Sequence, residues 1–205
     1  MAPRVILVHG IWMPGAVMAW MAARLREAGF ECETFAYHGV TRGPKEATSR
    51  LAEVLARAPT HVLAHSLGGL VTLQALRDFP QLPVQRVVCL GSPLCGSGAV
   101  QGMRQRAWAA ATLGLAAELL EHGFENWNGS AEVGVIAGTV PHGLGHVFAG
   151  FSEEHDGSVA VAETRLPGIS DHAVISASHS GMLFSAEAAR LAICFLREGR
   201  FQAGG

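Results

Sequence analysis

Strand-like and helix-like stretches alternate along this chain, and that alternation constrains its fold more than any other feature. β-Branched or apolar runs at residues 5–8, 31–37, 61–64, 86–90, 132–137 and 173–176 read as strands. Helical patterning fills residues 16–28, which stop at Gly29, and 44–58, which open on Pro44 and end before Pro59. It returns at residues 70–78 and in a terminal helix at 185–198, with Leu191, Cys194 and Phe195 on one face and Gly199 as its stop. Such alternation predicts an α/β fold: a mostly parallel sheet of about six strands with helices on both faces. A chain of 205 residues suits one domain with a sizeable core. Residues 94–130, with a helical, Ala-rich centre near 101–122, form an insertion after a strand. We read it as a helical cap over a pocket, with ordinary helix packing as the alternative.

The chemistry concentrates where the third strand meets its helix, at Ala64-His65-Ser66-Leu67-Gly68-Gly69. This is a near match to Gly-x-Ser-x-Gly, in which a serine sits on a tight strand-to-helix turn with its hydroxyl beyond the sheet edge. The turn crowds the residues two before and two after the serine, so Ala64 and Gly68 are expected to be small for that reason.

A serine hydroxyl is a poor nucleophile until a base takes its proton, and that base needs an orienting acid. The chain has three aspartates, Asp78, Asp156 and Asp171. Asp78 falls at the far end of the helix that begins beside Ser66, and Asp171 precedes the last strand on the opposite sheet edge. Asp156 follows the preceding strand on the serine's edge and is the acid by elimination, with Glu153 and Glu154 as alternates. Among histidines, His61 and His172 begin strands on the wrong edge, and His38 comes too early in the chain. His65 abuts the serine and is expected to point away from its hydroxyl. His179 follows the last strand and completes the order serine, acid, histidine.

A developing oxyanion needs backbone N–H donors. Leu67, at a helix N-terminus, supplies one, and Gly10 lets the first strand turn so that Ile11 aims a second. Trp12, Met13 and Trp108, with Met103 and Leu113, are expected to line an apolar rim that takes uncharged ester groups of short to medium length.

Other classes fit poorly. Charge is nearly balanced at −2, and the basic residues are scattered, which argues against nucleic acid or an anionic membrane surface. No apolar run reaches membrane-spanning length. His142 and His146 in His-Gly-Leu-Gly-His lack companion ligands for zinc, and no phosphate-cradling or dinucleotide fingerprint follows a strand, so neither metal nor cofactor is expected. Cys32, Cys89, Cys95 and Cys194 show no metal-type spacing and are expected to pack as small apolar residues. The first strand begins almost at the start of the sequence, leaving no room for a signal peptide, and a cytoplasmic location is the expectation.

Together these segments resemble the α/β-hydrolase superfamily, and within it the small bacterial lipase-like esterases. Val8-His9-Gly10, the Ser66 turn, Leu90-Gly91-Ser92-Pro93 with Gly96-Ser97, Asp156-Gly157-Ser158-Val159 and the region around His179 carry the resemblance. It implies Ser66, Asp156 and His179 as a catalytic triad and the amides of Ile11 and Leu67 as oxyanion hole. A sheet shortened by two N-terminal strands is also implied. Ala64 stands where the first motif glycine is usual, and residues 94–130 are longer than in lidless members. The activity implied is cleavage of a carboxylic ester through an acyl-enzyme, without a cofactor. Thioesterase, amidase and acyltransferase chemistry use the same residues, and a ligand-binding or scaffolding protein on this fold is the alternative of a different class.

Overall fold

A computed structural model describes residues 2–11, 13–37, 43–98, 100, 116–142 and 153–201. Six strands are present among them: β1 (Arg4–Val8), β2 (Glu31–Phe35), β3 (Thr60–His65), β4 (Val84–Leu90), β5 (Glu132–Gly138) and β6 (Asp171–Ile175). They form one sheet in the order β2-β1-β3-β4-β5-β6, every neighbouring pair parallel. The described residues include the helices α1 (Ala19–Glu27), α2 (Gly43–Leu55), α3 (Leu67–Asp78), α4 (Ala117–His122) and α5 (Ala186–Glu198).

Strand side chains alternate between the two faces, and both faces are apolar because both are covered. Ile6, Val8, Val62, Ala64, Val87, Cys89, Val133 and Val135 pack with Leu51, Leu55, Leu70, Leu73 and Leu120 of α2, α3 and α4. Val5, Leu7, Leu63, Val88, Leu90 and Ile136 pack with Met21, Leu25, Leu191 and Phe195 of α1 and α5. The expected two-faced parallel sheet is therefore what the chain builds.

Strand order places the site. From β1 the chain moves outward through α1 to β2, then returns through α2 to β3 on the other side of β1. The crevice between the carboxyl ends of β1 and β3 is thus the topological switch point, where open parallel sheets bind ligands.

Several boundaries differ from the sequence reading. Residues 15–18 form a 3-10 turn before α1, and α2 ends at Leu55, with Ala56 and Arg57 closing a tightened last turn. The last strand starts at Asp171, two residues early, because β5 offers pairing partners from Gly134 onward. Cys95 corrects an expectation: it is exposed, while its neighbour Leu94 takes the buried position in that turn. Cys32 and Cys194 are half-buried, and only Cys89 is fully enclosed; burial pushes its thiol up to about 12. Within the expected 94–130 insertion, α4 packs Leu120 into the core beside α3, whereas residues 101–115 lie outside the described residues. No described helix is long and apolar enough to cross a membrane.

Candidate active site

Ser66 follows directly on β3 and caps α3 with φ 55° and ψ −124°. Among the described residues it is the one non-glycine with positive φ. Such a conformation costs about 1–3 kcal/mol and persists only where surrounding structure enforces it. Here the Ser66 N–H donates to the Leu90 carbonyl at 2.9 Å and the Gly69 N–H donates to the Ser66 carbonyl at 3.0 Å. Gly68 must be small: a Cβ there meets the carbonyl oxygens of Val8 and His9 at 2.6 and 2.7 Å. The crowding is between the start of α3 and the exit of β1. At Gly10 a Cβ would stand 3.0 Å from the Ser66 Cβ, so the β1 exit lies against the serine itself.

Asp156 is buried in a tight loop closed by a bridge between His155 and Ala160. Its Oδ1 accepts the N–H groups of Ser158 and Val159 at 2.9 and 2.8 Å. That leaves Oδ2 for His179, whose Nδ1 lies 2.7 Å away. The His179 backbone N–H also donates to the Asp156 carbonyl at 2.9 Å. With Nδ1–H given to the carboxylate, Nε2 carries the lone pair. Gly91, at φ 53°, makes room for Met182 and for the pair: a Cβ would fall 2.6 Å from Met182 Cε, 3.0 Å from Asp156 Oδ2 and 3.1 Å from His179 Nδ1. This accounts for the glycine of Leu90-Gly91-Ser92-Pro93.

The rejected acids and histidines also find their places. Glu153 and Glu154 are exposed, and Asp171 binds the N–H groups of His172 and Phe201 at the amino end of β6. His172 donates its Nε2–H to the Thr164 hydroxyl, and burial lowers it to about 4. Trp12, Trp108, Met103, Leu113, His38 and His146 lie outside the described residues. Met13 is half-buried against the α1 and α5 face. Among the described residues no group of three or more His, Cys, Asp or Glu side chains has a metal-holding arrangement.

Two histidines carry more of the site than the sequence reading gave them. His9 is buried and stacked on Tyr37, ring centroids 4.6 Å apart. Its Nδ1–H donates to the Gly10 carbonyl at 2.8 Å and its Nε2 accepts the Tyr37 N–H at 3.3 Å. The Tyr37 hydroxyl donates to the His9 carbonyl at 3.0 Å. His65 is fully buried and donates Nε2–H to the His179 carbonyl at 3.0 Å. His9 directly follows β1 and His65 ends β3, as ordinary residues would, and their hydrogen-bond partners are backbone atoms that leave no pattern in sequence.

Solved structures repeat this architecture. The chain superposes on the mature lipase BlEst2 of Bacillus licheniformis with TM-score 0.77 at 20% identity, covering 97% of this chain and 92% of that one. The α/β-hydrolase fold is the fold of this chain. A bromoperoxidase from Bacillus anthracis matches the hydrolase fold here with TM-score 0.69 at 15% identity, over 97% of this chain and 93% of its own. A pyrethroid hydrolase from Sphingobium faniae JZ-2 does so with TM-score 0.64 at 18% identity, over 97% and 98%. No protein-family model and no curated protein sequence matches the chain. Within this hydrolase fold, Ser66, Asp156 and His179 all stand on the carboxyl edge of the sheet, following β3, β5 and β6.

Proposed function

We propose that this chain is a serine hydrolase that cleaves carboxylic esters through an acyl-enzyme, in the manner of small lipase-like esterases. The observation that carries the reading is the Asp156–His179 pair: a buried carboxylate with one oxygen saturated by backbone N–H groups and the other fixing the imidazole tautomer. A binding protein has no use for an imidazole whose free Nε2 is set by so constrained a carboxylate.

In this reading His179 Nε2 takes the Ser66 proton as Oγ attacks the ester carbonyl. Asp156 stabilises the imidazolium, which then protonates the leaving alcohol. Water, deprotonated by the same Nε2, releases the acid and restores Ser66. The oxyanion is held by the N–H groups of Leu67 and Ile11. Support for Leu67 is its position at the first turn of α3, where amides and helix dipole favour negative charge. Support for Ile11 comes from peptide planarity. The Gly10 carbonyl is bonded to the His9 ring, which stacks on Tyr37 just beyond β2. In a trans peptide the following N–H points away from that carbonyl, and so away from the His9 ring and Tyr37.

The likeness to a lipase and a pyrethroid hydrolase favours an uncharged, apolar ester, and a cap drawn from the 94–130 insertion apart from its core-packed α4, with Trp12, Met13 and Trp108 on its rim, belongs to the same proposal. Four free thiols suit a cytoplasmic, reducing location. The test is turnover of p-nitrophenyl esters of increasing chain length. Ser66→Ala is expected to abolish turnover with an unchanged melting temperature, and Trp108→Ala to weaken discrimination among chain lengths. Full activity in folded Ser66→Ala overturns the reading.

A further inference from the structure

We propose that His65 is a positioning residue for the base: its Nε2–H, bonded to the His179 carbonyl, ties the loop that carries the base to the strand that carries the nucleophile. The inference rests on the reading of Ser66 and His179 as nucleophile and base.

His179 is held at three polar points. Its N–H and its Nδ1–H both go to Asp156, at 2.9 and 2.7 Å. Those two bonds join the base to its acid and say nothing about where either stands relative to Ser66. The third bond does. His65 is the last residue of β3, immediately before Ser66, and its Nε2 lies 3.0 Å from the His179 carbonyl across 114 residues of chain. A carbonyl oxygen only accepts, so the hydrogen is on Nε2 and the ring is in the Nε2–H tautomer.

Packing alone does not account for an imidazole here. The site is fully buried, and the preceding residues Val62, Leu63 and Ala64 are apolar. The ring's other nitrogen, Nδ1, is buried with no hydrogen-bond partner among the described residues. Leaving a buried acceptor unpaired costs about 1–3 kcal/mol. An apolar residue avoids that cost and gives up only the bond to His179. Burial first, and then the charge of the neighbouring His179, lowers His65 to about 3. The donor therefore stays neutral while the base beside it, 4.7 Å away between ring centroids, gains and loses a proton. A cationic donor at that distance would oppose formation of imidazolium; a neutral one does not.

The test compares His65→Leu, which removes the donor, with His65→Gln, whose amide nitrogen reproduces the place of Nε2. His65→Leu is expected to lower kcat for an activated short-chain ester, and the rate of labelling by a fluorophosphonate, by about one to two orders of magnitude at unchanged KM. His65→Gln is expected to restore most of the loss. A Leu variant as fast as wild type, or a folded Gln variant as slow as Leu, overturns the proposal. Nitrogen-15 shifts of His65 in the wild-type chain decide the matter independently of how the variants fold: an Nε2–H tautomer is expected, and Nδ1–H overturns it. Ser66→Ala and His179→Ala keep the two readings apart. Activity in those variants defeats the triad itself; their inactivity beside a fully active His65→Leu defeats only the tie.

Discussion

Ser66 combines an unfavourable backbone with the only side chain able to do the proposed chemistry, so function and stability oppose each other at that residue. Replacing it by glycine relieves the strained φ of 55°, whereas alanine keeps it. Thermal denaturation is expected to show Ser66→Gly more stable than Ser66→Ala, both inactive; the reverse order would mean that the turn is unstrained. Asp156→Asn should lower kcat by about 10⁴ through loss of the productive tautomer, with Asp171→Asn nearly neutral for turnover. A Cβ at position 91 would intrude on both Asp156 Oδ2 and His179 Nδ1, so Gly91→Ala is expected to impair kcat more than KM. Ser66, Asp156 and His179 are the candidates the sequence offers because chain order and sheet edge together leave few choices, and the structure sets Asp156 against His179. His65 and His9 were not legible there. Each acts through a backbone carbonyl, and a bond to a carbonyl carries no residue signature at the other end.

Elements were legible where periodicity is strong and less so at their ends. The inner strands β1, β3, β4 and β5 show because apolar residues facing both helical layers make near-continuous runs, while the edge strands β2 and β6 carry polar residues and show by their place in the alternation. The start of α1 and the end of α2 were misplaced because a 3-10 turn and a tightened last turn share the helical pattern without extending the α-helix. The reason for Gly68 was also hidden, since its crowding partner is β1 backbone rather than a neighbour in sequence. Gly134 of β5 is a comparable case: a Cβ there would meet the Phe195 ring of α5 at 2.5 Å. Gly134→Ala is therefore expected to destabilise by about 1–3 kcal/mol in chemical denaturation, by pushing α5 off the sheet. Ser185 accepts the Ala188 N–H at the N-cap of the same helix, and Ser185→Ala should cost about 1 kcal/mol.

The whole molecule carries a pH dependence that follows from buried neutral histidines. Burial lowers His65 to about 3 and His172 to about 4, and burial also lowers His61, all from an ordinary 6.5. Below that value the unfolded chain binds protons that the folded chain refuses. Stability is therefore full above about pH 6.5 and falls as pH drops toward 5, by up to ~1.4 kcal/mol per pH unit for each proton. Urea titrations over that range should show the decline before the carboxylates titrate; a flat or rising profile would contradict it. The sheet also explains why a site spread from Gly10 to His179 forms at all. Parallel strands bring every carboxyl end to one edge, and the switch between β1 and β3 opens that edge at Ser66. Whether the edge is a working hydrolase site is tested most directly by mass spectrometry of the intact chain after exposure to a fluorophosphonate. One adduct per chain is expected, mapped to Ser66 and lost in a folded His179→Ala variant. An unlabelled wild-type chain, or labelling that ignores His179, would contradict it.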